Sequence, residues 1–385
     1  MQILIGPSPA EFYDQSKDRS SGRAGKICRE SNGNNPFVVI EEGDEHFRGE
    51  RGFTTPSFPE SNGFYRVESS DGGGTKPILA DVVRVYNTLA SDLIAMCGDD
   101  IGRNGGITLA LSNTLTLSRI NNDDQEKAAI ELFEGLGQYA KEQKIVLLEG
   151  ETAFHYNCLT SPNPQASLPL DWSGTAHGIN HKDMRITGEK LKAGDLLVVF
   201  EQEGFGCNGI SKVRQAFELR YGPNWYKDAP REEILEALSP SKIYSLALAD
   251  ANGWYSDLEK QVEMHAIGHL SGGSFESKFF EPFLKGKGLS ATLDDLFPIT
   301  DITKKCASWL VEGGVKFGPE EMLKTWPGGQ RMIVAVPNQV NADKLIKICA
   351  KNNFKAKIGG IVTETKKGGN DEIIIIHPDL DEIYK

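Results

Sequence analysis

With 385 residues, 39% of them hydrophobic and 25% charged, the chain has a globular composition and enough length for two or three domains. Its formal net charge of −12 disfavours binding to a nucleic-acid backbone, and no basic stripe interleaved with aromatic residues offsets that charge. No segment approaches the roughly 20 apolar residues that cross a bilayer, and the N-terminus lacks the basic lead and apolar core of a signal peptide, so we expect a cytoplasmic protein.

The cysteines agree with a reducing compartment. They are scattered singly, without the paired spacing of a zinc site or a redox dithiol. We expect reduced thiols, several of them in the core, at Cys28, Cys97, Cys158, Cys207, Cys306 and Cys349.

Residues 1–62 form a predicted N-terminal arm that is rich in Gly, Ser, Asn and charged residues. Only Pro36-Phe37-Val38-Val39-Ile40 has the pattern of a strand, so most of the arm is expected to be loop. We expect its order to depend on a ligand or on a partner subunit.

Residues 63–183 form the predicted N-terminal domain. Apolar residues recur at i, i+3, i+4 spacing from Leu79 to Cys97, which predicts an amphipathic helix that ends near Gly98 and presents Asp99 and Asp100 at its C-terminal edge. A second helix is predicted after a possible cap at Asp123-Asp124. We expect that helix to bury Ala129, Leu132, Phe133, Leu136 and Ala140.

A short buried strand is predicted at residues 144–148, and it runs into the turn Glu149-Gly150-Glu151-Thr152. In α/β proteins, ligands bind where a strand ends in a turn that contains glycine and acidic residues.

Residues 184–385 form the predicted C-terminal domain, in which the α/β pattern starts again. Strands are predicted at residues 195–200, 331–336 and 372–376, and residues 264–274 are predicted to run from a strand into a loop. Helices are predicted through Val213 and Phe217 and from Pro319, with Glu320 and Glu321 in the first turn. The pattern indicates two α/β domains divided near residues 180–184, without a demonstrable internal repeat.

The stretch Asp71-Gly72-Gly73-Gly74-Thr75-Lys76 is the first candidate for phosphate chemistry. Its glycines let backbone N–H groups approach an anion, and the threonine and lysine add a hydroxyl and a positive charge. It lacks the order of a P-loop, and its leading acid suits a metal-bridged phosphate. On its own, a solvated turn would explain the stretch equally well.

Further acids follow at element ends, at Asp92, Asp99, Asp100 and Glu151. Magnesium prefers a few carboxylate oxygens together with water and phosphate oxygens. Asp71, Asp99 and Glu151 each sit beside glycine or at an element end, so together they are the predicted metal ligands. Asp100 alone is expected to be a surface charge.

Two histidines lie four residues apart, at His265 and His269. A zinc peptidase of the HExxH type is excluded because Ala266 stands where glutamate is needed. His265 is expected to be a satisfied core histidine. His269 precedes Gly272 and Gly273, so a substrate contact or proton transfer is expected there.

A series of motifs runs along the chain in a specific order. They are Asp71-Gly-Gly-Gly-Thr-Lys76, Asp92-Leu-Ile-Ala-Met-Cys97 with Asp99-Asp100-Ile101, Gly150-Glu-Thr-Ala153, Ser173-Gly-Thr-Ala-His-Gly178, Asn208-Gly209, His265-Ala-Ile-Gly-His-Leu-Ser-Gly-Gly273 and Glu320-Glu-Met-Leu-Lys-Thr-Trp326. In order and spacing they resemble the phosphoribosylformylglycinamidine cyclo-ligase (AIR synthetase) family of the PurM-like ATP-binding superfamily. The similarity covers roughly residues 64–365, which is more specific than any single motif.

The resemblance implies a two-domain α/β (α+β) subunit, with an N-terminal sheet that forms a barrel across a homodimer and a mixed α/β C-terminal domain. It implies ATP and Mg²⁺ as cofactors and a small phosphoribosyl substrate. In the implied reaction of purine biosynthesis, ATP phosphorylates the formyl amide oxygen of formylglycinamidine ribonucleotide, and the amidine nitrogen then closes the ring of aminoimidazole ribonucleotide. Phosphorylation helps because phosphate leaves more readily than an amide oxygen.

The resemblance also implies roles for individual residues. Magnesium would be held by Asp71, Asp99 and Glu151, and catalytic roles would fall to Lys76 and His269. ATP would be surrounded by Lys17, Gly72, Gly73, Gly74, Thr75, Asp92 and Thr152. The substrate would meet Asn208, Gly209, Gly272 and Gly273.

The chain departs from the family pattern mainly on the substrate side. The family's His-Ser-Asn-Gly reads Gly206-Cys207-Asn208-Gly209, its Asn-Asp reads Asp99-Asp100, its Gly-Gly-Gly loop ends in Ser274, and residues 154–170 replace a Pro-Gly-Met segment. Two alternatives therefore stay open. One is a superfamily member that phosphorylates another amide or acid, and the other is a non-catalytic nucleotide-binding subunit.

Overall fold

The structure is a computed structural model, and it describes residues 2–5, 39–41, 55–57, 63–148, 150–156 and 158–384. Lys17, Cys28 and Glu149 lie outside these residues, as does most of the predicted strand at residues 36–40. The predictions that rest on them stay predictions, and so do the domain boundaries.

The described residues form two β-sheets with helices packed against them. The strands are β1 (Gln2–Ile5), β2 (Val39–Glu41), β3 (Thr55–Ser57), β4 (Phe64–Gly72), β5 (Ile107–Leu117), β6 (Val146–Leu147), β7 (Glu151–Phe154), β8 (Leu170–His181), β9 (Leu196–Glu201), β10 (Ala266–His269), β11 (Leu289–Leu293), β12 (Gln330–Val336), β13 (Ala356–Glu364) and β14 (Ile373–Ile376). The helices are α1 (Pro77–Val83), α2 (Leu89–Gly102), α3 (Asp123–Glu142), α4 (Ile210–Tyr221), α5 (Trp225–Asp228), α6 (Arg231–Ala237), α7 (Ser245–Asn252), the π-helix α8 (Glu276–Leu284), α9 (Asp301–Glu312), α10 (Pro319–Thr325), α11 (Gln339–Lys351) and α12 (Pro378–Ile383). The fold is therefore mixed α/β, as predicted.

The N-terminal sheet has the strand order β2-β3-β4-β8-β5-β6, with β7 also paired to β5. Along β8, side chains alternate between buried and more exposed positions, because successive residues of a strand point to opposite faces. Trp172, Gly174 and Ala176 lie on the buried face, which α2 packs against. The other face, with Ser173 and Thr175, is open.

The C-terminal sheet has the order β1-β14-β11-β13-β9-β12-β10. Every residue of β12 is buried, as expected for an apolar run with packing on both faces. The first strand comes from the predicted N-terminal arm, since β1 pairs antiparallel with β14. Residues 2–5 therefore belong to the C-terminal sheet rather than to a loop.

The predicted helix from Leu79 to Cys97 is two helices. Helix α1 ends at Val83, because Arg84 adopts a left-handed conformation with φ of 55°. Helix α2 then begins at Leu89. Helix α2 also passes the predicted end at Gly98 and continues to Gly102. Asp99 and Asp100 thus lie inside its last turns, because the apolar spacing does not reveal a break or an end that the backbone conformation decides.

The second predicted helix is confirmed as α3, but its cap is Asn122 rather than Asp123-Asp124. The Asn122 side chain accepts from the backbone N–H of Gln125, and both aspartates lie in the first turn. Phe133 is 41% exposed, so its predicted burial is wrong. The strand at residues 144–148 was predicted to be buried, but Val146 in β6 is 62% exposed. Its apolar run predicted a strand correctly, and only the three-dimensional packing shows that this edge is uncovered.

The predictions for the C-terminal half are largely confirmed. Strands β9, β10, β12 and β14 and helices α4 and α10 lie where the pattern placed them. His265 is buried and pairs with Asp195, at 2.7 Å between Nδ1 and Oδ2, so it is a satisfied core histidine. The described cysteines are free thiols, and all except Cys158 are buried. In the described parts of the chain, no helix combines the length and apolarity that a bilayer crossing requires.

The buried Asp81 on α1 anchors the segment that leads into β8. Its Oδ1 accepts from the backbone N–H groups of Ser167 (3.0 Å) and Leu168 (2.8 Å) and from the hydroxyl of Tyr86 (2.8 Å). Burial, followed by the charge of Asp81, raises the pKa of that hydroxyl. The Asp81 carboxylate thus holds the start of β8 in place, and β8 contributes residues to the candidate functional site.

We predict that Asp81→Ala lowers the free energy of unfolding by about 2–4 kcal/mol, because it leaves buried donors without an acceptor. Urea denaturation measures the change. The control is Arg84→Ala, since the Arg84 side chain is 51% exposed and its ion pair with Asp81 should contribute less than about 1 kcal/mol. Equal losses in the two variants would contradict the assignment.

Candidate functional site

A polar pocket of about 560 Å³ opens on the N-terminal sheet. It lies beside the part of β5 between the residues that pair with β6 and the residues that pair with β7. Each lining residue is polar, acidic or glycine. They are Ser70, Asp71, Ser112, Asn113, Thr114, Gly150, Glu151, Ser173, Gly174 and Thr175. The charged members, Asp71 and Glu151, are both acids, so the pocket attracts cations and repels a bare phosphate.

The register of the sheet separates these two acids. One row of backbone partners crosses it in the order Glu151, Thr114, Ser173 and Gly72. Three strand spacings, on the order of 14 Å, therefore lie between Glu151 and the residue next to Asp71. Such a span suits a polyphosphate with its cations better than a single ion held by both acids at about 2 Å.

The glycine loop uses part of its backbone internally. The N–H of Gly72 donates to Oδ1 of Asp71 (2.7 Å), and the N–H of Gly73 donates to the carbonyl of Trp172 (2.8 Å). Gly74 and Thr75 are exposed beyond them. They are the part of the predicted phosphate loop that faces solvent.

Lys76 and Asp92, predicted near the triphosphate, form a fully buried ion pair, with Nζ at 3.0 and 2.9 Å from the two carboxylate oxygens. The Lys76 ammonium also donates to the carbonyl of Ser239 (2.6 Å). Asp92 accepts from the backbone N–H and the hydroxyl of Ser241. The structure does not bring this pair to the pocket; it ties α2 to the C-terminal half.

Asp99, a predicted magnesium ligand, is also fully buried and turned towards the C-terminal half. Its Oδ1 accepts from the backbone N–H groups of Tyr244 and Ser245, each at 2.8 Å, at the start of α7. Burial raises the pKa of Asp99 to about 8. The structure thus places Asp99 away from the pocket lining and uses it as a helix anchor.

Asp100, expected to be a surface charge, is instead mostly buried, with its side chain 18% exposed. Its Oδ1 accepts from Nδ1 of His269 (3.0 Å) and pairs with Arg103. Although burial opposes ionisation, Arg103 and His269 hold the pKa of Asp100 below its usual range. The surface assignment was wrong because the direction of a side chain depends on where its residue lies around the helix axis. Asp100 lies on a side of α2 that faces the protein interior.

Asp71 lines the pocket, and the charge of Asp100 acts on its carboxylate. Burial raises the pKa of Asp71, and the nearby charge of Asp100 raises it further, while the Gly72 amide, Lys278 and Arg331 act in the opposite direction. A carboxylate whose pKa is raised by the charge of a second carboxylate is a suitable environment for a cation, which relieves the repulsion. This is the acid pair that the structure adds to the sequence prediction.

His269 is fully buried, and both ring nitrogens are engaged. Nδ1 donates to Asp100, and Nε2 accepts from Nε of Arg331 at 3.4 Å. Burial lowers the pKa of His269 to about 4, so the ring is neutral at physiological pH. In this arrangement it connects Asp100 to Arg331 rather than presenting a free nitrogen for proton transfer.

Arg331 has no predicted role in the site and appears in the sequence predictions only as the first residue of a strand. Its only signal was a charged residue at the start of the apolar run that forms β12. In the structure Arg331 is fully buried. With its amide oxygen facing the guanidinium, Asn208 accepts from Nη2 at 2.9 Å and from Nη1 at 3.2 Å.

The other predicted substrate residues form two loops. Gly209 has φ of +64° and lies against Trp326, whose indole N–H donates to the Gly209 carbonyl at 3.3 Å. Gly272 and Gly273 precede Ser274, a buried residue with φ of +45°. Cys207, next to Asn208 in the loop that contains Gly209, donates its thiol to the carbonyl of Gly73 (3.1 Å). This loop therefore contacts the predicted phosphate loop.

A series of side-chain hydrogen bonds borders the pocket on the open face of the sheet. The Ser112 hydroxyl lies 2.9 Å from Nε2 of His177, and Nδ1 of that ring lies 3.2 Å from Glu68. It holds the Ser112 side chain in place at the pocket wall. Thr152, a predicted ATP contact, is exposed on β7, next to Glu151.

Among the described residues, no group of three or more His, Cys, Asp or Glu side chains is arranged to hold a metal ion. Magnesium in proteins usually binds one or two carboxylates and keeps water or phosphate oxygens as its other ligands.

Family models match both halves of the chain. The AIR synthase related protein N-terminal domain matches residues 61–179, and the AIR synthase related protein C-terminal domain matches residues 192–370. The chain belongs to the AIR synthase related protein family.

Named relatives of this AIR synthase related protein cover most of its length. It is 29% identical over 327 residues to a phosphoribosylformylglycinamidine cyclo-ligase of Methanocaldococcus jannaschii, covering 82% of the chain and 83% of the relative. It is also 29% identical over 306 residues to the protein of the same name from Pyrococcus horikoshii, covering 79% and 81%.

Solved structures share the fold. Thiamine-monophosphate kinase from Stenotrophomonas maltophilia K279a has a TM-score of 0.53 at 14% identity, with coverage of 97% of this chain and 98% of that one. Hydrogenase maturation protein HypE in complex with ATP has a TM-score of 0.53 at 12% identity, with coverage of 80% and 81%. Thermotoga maritima PurL complexed with ATP has a TM-score of 0.51 at 16% identity, and the match covers 96% of this chain but half of PurL.

We predict that Asp99→Asn leaves stability and magnesium affinity close to wild type, because the carboxamide oxygen still accepts both α7 amides. Asp99→Ala should lower the free energy of unfolding by about 2–4 kcal/mol, because two buried N–H groups lose their acceptor. Urea denaturation and calorimetric titration measure the two quantities. Asp124→Ala is the control, as its side chain is 90% exposed. A stable Asp99→Asn protein that no longer binds magnesium would return Asp99 to the metal site.

Proposed function

We propose that this protein closes the imidazole ring of aminoimidazole ribonucleotide in purine biosynthesis, using ATP. The observation that carries the proposal is the match of both family domains along the chain, together with relatives named phosphoribosylformylglycinamidine cyclo-ligase. The ATP complexes of HypE and of PurL, which share this fold, support ATP as the phosphoryl donor.

In the proposed reaction the γ-phosphoryl group of ATP moves to the formyl amide oxygen of formylglycinamidine ribonucleotide, and ADP leaves. The amidine nitrogen then attacks the activated carbon, phosphate departs with that oxygen, and the nitrogen loses a proton. This order is favourable because phosphate is the better leaving group. Catalysis of this kind depends mainly on positioning and on charge stabilisation.

The triphosphate of ATP is proposed to lie in the polar pocket between Asp71 and Glu151. The pocket supplies serine and threonine hydroxyls as donors, and Gly74 and Thr75 add exposed backbone at one end. Its volume of about 560 Å³ is in the range of small-molecule sites. Thr152 stands beside this pocket, and Lys17 of the N-terminal arm stays a predicted ATP contact.

Magnesium is part of the proposal, and the donors present fit it. The pocket offers carboxylate and hydroxyl oxygens, and the acid pair Asp71 and Asp100 would be relieved by a cation. We assign Asp71 and Glu151 as metal ligands at opposite ends of the pocket, with Asp100 beside Asp71 in place of Asp99. Bound magnesium would neutralise phosphate charge. The hydroxyl groups of the pocket would orient the phosphate oxygens.

The substrate is proposed to lie on the side of Asn208, Gly209, Gly272 and Gly273. Contact between Cys207 and Gly73 brings this side next to the phosphate loop, as transfer between ATP and a second ligand requires. Lys76 and His269 are proposed to act indirectly, since both are fully buried. They hold the domains and the acid pair in position.

The proposal also includes a homodimer and a cytoplasmic location. The open face of the N-terminal sheet supports a second copy as the covering partner, because its rim exposes large apolar side chains. Leu109 is 42% exposed, Val146 62% and Phe154 57%.

The test of the proposed function is an assay with purified protein, ATP, magnesium and formylglycinamidine ribonucleotide. Aminoimidazole ribonucleotide and ADP should form in equal amounts. ATP binding without this product would favour a second function, phosphorylation of another amide or acid, which the buried Cys207 and Ser274 at positions of family departure support. ADP release with a panel of amides and acids would then identify the substrate.

We predict that Asp71→Asn weakens the binding of ATP in the presence of magnesium at least tenfold, or about 1.4 kcal/mol, because one carboxylate of the acid pair is lost. Isothermal titration calorimetry measures the affinity, and Asp124→Asn serves as an exposed control of the same chemistry. Unchanged affinity in Asp71→Asn would remove this residue from the site.

A further inference from the structure

Arg331 is a buried cation whose hydrogen-bond partners among the described residues are all neutral. Its side chain is fully buried; Nε donates to His269, Nη2 lies 2.9 Å from the sulfur of Met96, and Asn208 accepts from both terminal nitrogens. No carboxylate of the described residues forms an ion pair with it. Its charge acts on Asp71 and Asp99, whose pKa values it lowers, although neither carboxylate forms an ion pair with it. The direct contacts of the guanidinium are therefore with neutral groups.

The backbone at Gly206 is shaped around this guanidinium. Gly206 has φ of +57°, and a Cβ placed there would lie 1.8 Å from Nη1 of Arg331. No other amino acid fits at position 206 while Arg331 keeps its position. Glycine at one position and arginine at the other therefore form a complementary pair.

The guanidinium determines how Asn208 can bond. Arginine has donors and no acceptor, so the oxygen of the Asn208 amide must face it. The NH₂ group of the amide is then turned away from Arg331. An asparagine side chain can ordinarily present either its amide oxygen or its NH₂ group. The half-buried Asn208 is thereby restricted to presenting its NH₂ group, a donor, on the side away from Arg331.

The same guanidinium continues a chain of contacts across the two halves of the protein. Asp100 on α2 bonds to His269 at the end of β10, His269 bonds to Arg331 on β12, and Arg331 bonds to Asn208 ahead of α4. One end of this chain lies beside Asp71, in the proposed ATP pocket. The other end lies in the loop that touches Gly73 through Cys207.

We propose that Arg331 is a positioning residue that fixes Asn208 as a hydrogen-bond donor to an oxygen acceptor of the substrate. The Gly206–Arg331 pair thereby sets specificity for a substrate that presents an amide or phosphate oxygen at this place. The proposal rests on the proposed function for the identity of the substrate. The contact between Arg331 and Asn208 can be tested without it.

The first experiment is a double-mutant cycle on stability with Asn208→Asp and Arg331→Met. With Arg331 present, Asn208→Asp replaces an amide oxygen by a carboxylate on the guanidinium, so the urea midpoint should stay the same or rise. In the Arg331→Met background the same change leaves an uncompensated carboxylate, so the midpoint should fall. Additive effects in the cycle would overturn the proposal, whatever the substrate is.

The second experiment measures binding of formylglycinamidine ribonucleotide and of ATP to the same variants by calorimetry. Asn208→Asp should weaken ribonucleotide binding at least tenfold, because the donor NH₂ is replaced by an acceptor, while ATP affinity stays within about twofold. Arg331→Met should also weaken ribonucleotide binding, and Arg331→Lys, which keeps a donor cation, should recover part of the loss. Asn208→Asp that binds the ribonucleotide like wild type would show a purely structural contact and overturn the proposal.

These outcomes are separable from failure of the proposed function. If the wild-type protein binds ATP but not the ribonucleotide, the proposed substrate is wrong, and the stability cycle alone then decides the role of Arg331. If the wild type binds both ligands and only the cycle is additive, the proposed function stands and the Arg331 proposal falls.

Discussion

The burial of α2 between the two halves of the protein is the constraint on which the rest of the structure depends. This helix is apolar on the side that packs against the N-terminal sheet, but it also carries Asp92, Asp99 and Asp100. Each of these acids bonds to the C-terminal half: Asp92 to Ser241, Asp99 to the amides of α7 and Asp100 to His269. Because an unpaired buried carboxylate is costly, these bonds define how the two halves meet.

The same arrangement explains the electrostatics of the proposed site. Three acids of α2 have their partners within the protein, so they are not all available to a ligand. Asp71 differs because it lines the pocket, and burial and the charge of Asp100 raise its pKa there. Asp71 is therefore the acid at the position where a cation and phosphate are proposed to bind.

Arg331 gives the domain junction a second function in our proposal. The chain from Asp100 through His269 and Arg331 to Asn208 connects the nucleotide side to the substrate side. Neutral His269 suits this role, because its low pKa near 4 keeps one ring nitrogen as donor and the other as acceptor. A rigid connection of this kind would align two ligands that must react with one another.

The sequence alone determined the fold class, the family resemblance, most C-terminal elements and the acidic glycine loop at Asp71, because these depend on local periodicity and on ordered motifs. It also predicted that Glu151 follows the strand at residues 144–148, although Glu151 and Thr152 begin β7 rather than lie in a turn. Only the tertiary structure decided that Asp92, Asp99 and Lys76 face the domain junction, that Asp100 is buried, and that Arg331 joins His269 to Asn208. The physical reason is that side-chain direction and partners separated by more than 60 residues arise from packing between elements, which spacing along the chain does not encode.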